Sequence, residues 1–165
     1  MSTYCAAQTL PSIIFDNDNG VSNESRSIEK IETELLKHDS RSISLGWRSS
    51  LINQLTQLSE KYSSQGWDGY EALPISKQSL VSAGQFILSL PDSIETPDII
   101  PEPDGEIALE WRSYPNVVFS VSTSGGHFAY AGLLGKGREC YGTERISNEI
   151  PETITHILTN TFFKK

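Results

Sequence analysis

Cysteine is scarce in this chain: Cys5 and Cys140 are the two present, one near each end. That excludes a disulfide framework and a cysteine-based metal quartet, and it points to a reduced, cytoplasmic protein. Long apolar runs are missing too. No stretch approaches the roughly 20 residues that a helix needs to cross a bilayer. The first basic side chain is Arg26, so no secretory leader and no membrane partner are expected. Positive charge is also in deficit. Thirteen Lys and Arg face 21 Asp and Glu, for a net charge of −8. Affinity for a phosphate backbone rests on cationic side chains, so direct nucleic-acid binding is disfavoured. Acidity that serves solubility is one reading; a basic surface on a partner protein is another. Histidine is sparse, with His38 and His156 isolated, and neither a metal site nor a cofactor is expected.

What is present is 37% hydrophobic, enough for one folded domain. Residues 1–26 are rich in Ser, Asn, Asp and Thr around one apolar patch, Leu10-Pro11-Ser12-Ile13-Ile14-Phe15. They are expected to form a flexible N-terminal arm. Residues 27–165 are expected to form a single α+β domain. Ile28, Ile31 and Leu35 recur at helical spacing in a short amphipathic helix ending near His38. A longer helix is expected from about Ser49 to Ser64, with Leu51, Leu55, Leu58 and Tyr62 on one face and Gly66 as its cap. Another starts at Ser76, a good N-cap, buries Leu80, Ala83, Ile87 and Leu90, and stops at Pro91.

The period then changes to two. Ile107, Leu109 and Trp111 alternate with Ala108, Glu110 and Arg112. Val117, Phe119 and Val121 repeat the pattern, Phe128 to Leu134 form a third run, and residues 139–146 a fourth. Short turns between these runs imply an antiparallel meander. A last helix follows Pro151, with Ile154, Ile157, Leu158 and Phe162 as its apolar set. Helices, then a meander of three to five strands, then a helix, spell α+β rather than α/β. One sheet face is expected under the helices and the other partly wet.

Two acid-containing turns punctuate this order. In Gly66-Trp67-Asp68-Gly69-Tyr70-Glu71, Trp67 can anchor a loop, Asp68 can cap backbone amides and Gly69 can take a positive φ. The second reading is a rigid aromatic and a carboxylate presented at a binding rim, extended by Tyr70 and Glu71. Pro103-Asp104-Gly105 reads as a tight turn feeding the strand that carries Glu110, Trp111 and Arg112. Glu110 and Arg112 would lie on the wet face.

Catalytic constellations are thin. Asp98, Asp104 and Glu110 could converge on a divalent cation in a metal-dependent nuclease or hydrolase. Arg112 then stands where such sites use lysine, and arginine does not give up its proton. Cys140 and His127 could be strand neighbours, but no orienting third group is evident.

The segments Gly66-Trp67-Asp68-Gly69-Tyr70-Glu71-Ala72-Leu73-Pro74 and Pro103-Asp104-Gly105-Glu106-Ile107-Ala108-Leu109-Glu110-Trp111 resemble a family of small prokaryotic proteins that pairs these two elements. The resemblance covers about residues 50 to 160. It implies an accessory protein of bacterial or mobile-element origin, in a toxin–antitoxin or defence setting. It supplies no catalytic residue and singles out Trp67, Asp68, Asp104, Glu110 and Trp111. The expected function is therefore non-enzymatic binding of another protein, antitoxin-like or inhibitory. Trp67, Asp68, Tyr70, Glu71, Glu110 and Arg112 are the candidate contacts, with Gly66, Gly69, Asp104, Gly105 and Trp111 as framework. A structural or homo-oligomerising module is the other non-enzymatic reading, since an open sheet edge can pair with a second copy.

Overall fold

The structure is a computed structural model and describes residues 46–113, 115–124, 126–147 and 149–164. The N-terminal arm and the helix expected before His38 lie outside these residues. Helix α1 spans Gly46–Lys61 and α2 spans Lys77–Ser89. Strands β1 (Asp98–Pro101), β2 (Ile107–Ser113), β3 (Val117–Ser124), β4 (His127–Leu134) and β5 (Glu139–Arg145) follow, and α3 (Glu152–Thr161) closes the order. The strands form one antiparallel sheet in sequence order. The class is α+β, as the switch of periodicity implies.

Helix α1 starts three residues before its expected first turn and ends three residues before its expected last. Its C-terminus is drawn off by the chain that follows: the Tyr62 carbonyl accepts from Ile75 N (3.1 Å) instead of continuing the helix. Gly66 does have a positive φ, 74°, but it closes the next turn, accepting from Gly69 N at 3.0 Å, and is not the helix cap. Helix α2 begins as expected. Ser76 is extended and its hydroxyl accepts from Ser79 N at 3.0 Å. At its other end Arg48 of α1 donates to the Leu90 carbonyl and pairs with Asp92, which neutralises the helix C-terminus. Strand β1 was not marked by alternation. Four residues, two of them Pro-flanked isoleucines, are too few to show a period of two.

One face of the sheet carries Ile107, Leu109, Trp111, Phe119, Val121 and Phe128, all buried. They meet Leu51, Leu55, Phe86, Ile87, Ile154, Leu158 and Phe162 from the helices. Each such side chain contributes roughly 1.5–3 kcal/mol on burial. Trp111 is held in direction as well, donating from Nε1 to the Glu95 carbonyl at 2.8 Å. At the far side of the sheet the Tyr130 ring lies over Gly142, its cross-strand partner on β5.

A seam of backbone hydrogen bonds joins the helical half to the sheet. Leu73 N donates to the Pro103 carbonyl (2.7 Å), and Ser76 N donates to the Gly105 carbonyl (2.8 Å). The two acid-containing turns, 37 positions apart from Asp68 in the first to Gly105 in the second, thus belong to one structural unit. One turn of α2 further on, the buried Ser79 hydroxyl accepts from Ile107 N at 2.8 Å and touches the Thr123 hydroxyl.

Three expectations follow for urea unfolding. Gly105 has φ 84°, and a Cβ there would meet the Pro74 carbonyl oxygen at 2.6 Å. Gly105→Ala should therefore cost about 3 kcal/mol. Gly69 has φ 85° with open space around it, so Gly69→Ala should cost only about 1 kcal/mol. Ser79→Ala removes the acceptor for a buried N–H and should cost about 2 kcal/mol.

Candidate functional site

The loop from Gly66 to Pro74 is fixed from within. Asp68 Oδ1 accepts from Tyr70 N (2.8 Å) and Ala72 N (3.2 Å). Trp67 Nε1 donates to the Leu73 carbonyl at 2.8 Å, and its ring leans on Tyr62 with centroids 4.5 Å apart. Gly66 N donates to the Ala72 carbonyl at 2.8 Å. Polar groups of Trp67 and Asp68 are therefore engaged inside the loop. Beside the exposed Asp68 and Glu71 the loop turns two large side chains outward: Tyr70 is 86% exposed and Leu73 50%. Leu73 was not among the residues singled out from sequence. An apolar residue next to a proline carries no sign of which way it points; the burial of Ala72 beside it decides that.

Acidic side chains flank this apolar pair. Glu71 is exposed on the same loop. Leu73's bond to Pro103 sets the loop against the β1–β2 turn, where Glu102, Asp104 and Glu106 bring carboxylate oxygens within 4.8 Å of one another. Asp104 Oδ1 accepts from Glu106 N at 3.0 Å, and Gly105 N donates to the Glu102 carbonyl at 3.0 Å. Those bonds shape the turn and explain the crowding. Burial holds the Glu102 carboxyl above its ordinary range, and the Asp104 and Glu106 charges push the same way against a hydrogen bond from Ser122.

Glu110 and Arg112 are elsewhere. They form an ion pair on the face of β2 opposite Trp111. Arg112 lies five residues beyond Ile107, roughly 17 Å of strand away from the acidic turn. The six candidate contacts thus fall into two separate places, the 67–71 loop and the open sheet face. The trio considered for a metal-dependent reaction also divides. Asp98 faces Glu110 across β1 and β2, whereas Asp104 sits in the turn beyond the Pro101–Ile107 pair. Cys140 is opposite Gly132 and His127 is opposite Arg145, so that pair is five β4 residues apart. Burial raises the Cys140 thiol above its ordinary value, which favours the inert form. Among the described residues no helix is long and apolar enough to cross a membrane.

The raised Glu102 carboxyl gives a pH signature. A carboxyl with a higher pKa folded than unfolded favours folding below its unfolded value, near 4.5, and loses that contribution as pH rises through the folded value. Glu102→Gln should therefore raise the melting temperature at pH 7. The gain should shrink as pH falls through the raised folded value and be gone below about 4.5, as a calorimetric series across pH would show.

No family model, no curated protein and no solved structure matches this chain.

Proposed function

We propose that the chain is a non-enzymatic protein-binding module, antitoxin-like or inhibitory, that seats its partner on Tyr70 and Leu73 within an acidic rim. The observation that carries this reading is the combination of exposure and rigidity at that loop. A tyrosine and a leucine stand in solvent on a backbone already fixed by Asp68, Trp67 and the bond to Pro103. A loop ordered in advance loses little conformational entropy on binding. Tyrosine is among the side chains that most often dominate an interface. The rim of Glu71, Glu102, Asp104 and Glu106, on a chain of net charge −8, favours a basic protein surface and speeds encounter with it. The toxin–antitoxin or defence setting is supported by the resemblance of the paired motifs alone.

The test is affinity capture from host lysate with the full chain and with Tyr70→Ala/Leu73→Ser. A stoichiometric protein held by the native chain should be lost by the double variant, whose circular dichroism should be unchanged. Measured with that protein purified, the loss should be about 30-fold or more. Raising salt should weaken the native complex mainly through slower association. Equal capture by both proteins would overturn the assignment to this loop.

A further inference from the structure

Strand β5 is the last in the sheet order, and among the described residues nothing pairs with its outer edge. Which backbone groups that edge presents can be read from the ends of the β4–β5 ladder. Leu134 N donates to the Arg138 carbonyl (2.8 Å), and Ile146 N donates to the Gly126 carbonyl (3.2 Å). Backbone groups alternate sides along a strand. The even-numbered residues Cys140, Gly142 and Glu144 therefore bond to β4. The N–H and C=O of Glu139, Tyr141, Thr143 and Arg145 point away from it.

Native sheets ordinarily blunt such an edge with proline, lysine, a bulge or a very short strand. Strand β5 has none of these four, and its one inward-facing charge is Glu144, opposite Phe128. It runs seven residues without proline or lysine, in unbroken register with β4. The side chains beside its free groups belong to the open face of the sheet, where Tyr141 is 82% exposed against small Ala131.

We propose that β5 is a dimerisation strand, pairing antiparallel with a second copy of itself about a twofold axis at Gly142. Its sequence, Glu139-Cys140-Tyr141-Gly142-Thr143-Glu144-Arg145, is self-complementary about that glycine. Glu139 falls opposite the partner's Arg145, and Arg145 opposite the partner's Glu139. Tyr141 falls opposite the partner's Thr143 and diagonal to the partner's Arg145, within reach of a cation–π contact. Every outward N–H and C=O of the four odd-numbered residues finds a partner in this register. Sliding the axis to Tyr141 would leave Arg145 opposite the partner's Gly137, and sliding it to Thr143 would leave Glu139 opposite the partner's Ser147. Both ion pairs are lost in either case, so charge selects the axis. At that axis the position is a glycine covered by Tyr130 on the inner face. The pairing joins two five-stranded sheets into one and leaves the Tyr70 loop untouched.

The test is analytical ultracentrifugation of the full chain, with Glu139→Arg, Arg145→Glu and the double exchange. The native chain should dimerise at micromolar concentrations. Each single reversal places like charges opposite each other twice per dimer and should weaken association on the order of tenfold. The double exchange should restore it. Because the two single changes move net charge in opposite directions, a general charge effect cannot mimic this pattern. Hydrogen exchange of the Tyr141 and Thr143 amides should slow as concentration rises. A monomer at every concentration would overturn the proposal, as would a dimer indifferent to both reversals. Protection of those amides in a monomer would assign the edge to residues 1–45 of the same chain and overturn it as well.

Discussion

The meeting of two stretches of backbone, at Leu73–Ser76 and Pro103–Gly105, is the constraint on which the rest of this structure depends. Without it the helices and the meander would share a core but not a fixed orientation. Apolar packing is largely non-directional, whereas a pair of backbone hydrogen bonds at 2.7 and 2.8 Å sets register. The seam also explains its own composition. In this orientation a Cβ on residue 105 would collide with the Pro74 carbonyl oxygen at 2.6 Å, so the point of contact needs a glycine. Ser79 extends the seam into the core, taking the Ile107 N–H, which sits where β2 leaves the turn. A buried polar group placed there costs little because it is satisfied.

From the seam two surfaces diverge. At its outer rim the fixed loop turns Tyr70 and Leu73 to solvent beside a crowd of carboxylates. Across the sheet, three strands beyond β2, the outer edge of β5 has no pairing among the described residues. The helices sit mainly over the first three strands, and the aromatic rings of Phe119 and Tyr130, tilted at 43° with centroids 6.0 Å apart, carry the inner face onward. Among the described residues this uneven coverage leaves β5 away from the helices. An apolar rim and a polar edge call for different partners. A side chain pocket suits the first, and another strand suits the second.

Much of this was legible in the residues. The switch from helical to twofold period at Ile107 gave the class, and Ser76 and Pro91 bounded α2 through rules that act within a few residues. Where legibility failed, the cause was tertiary. Helix α1 stops at Lys61 because the Tyr62 carbonyl is claimed by Ile75 N, thirteen residues further on. Strand β1 is too short to show a period and exists because β2 offers it an edge. The six candidate contacts divide for the same reason. Glu110 and Arg112 alternate correctly onto the open face, but nothing in local sequence says that the Trp67 loop lies at the opposite end of β2.

The seam also bears on what the paired motifs mean. Residues that touch across a fold are expected to occur together whether or not either binds anything. Trp67 and Asp68 use their polar atoms within the loop, Asp104 uses its own within the turn, and Gly105 is required by contact with Pro74. Each of these four has a complete reason to be present in the fold. A pattern built on them therefore marks an architecture, and a binding role has to be sought at positions the same loop holds still but leaves unsatisfied. Tyr70 and Leu73 are such positions. Their exposure costs hydration of apolar surface and gains nothing inside the molecule, so it is at these two side chains, more than at the aromatic and the acid beside them, that a partner has something to bury.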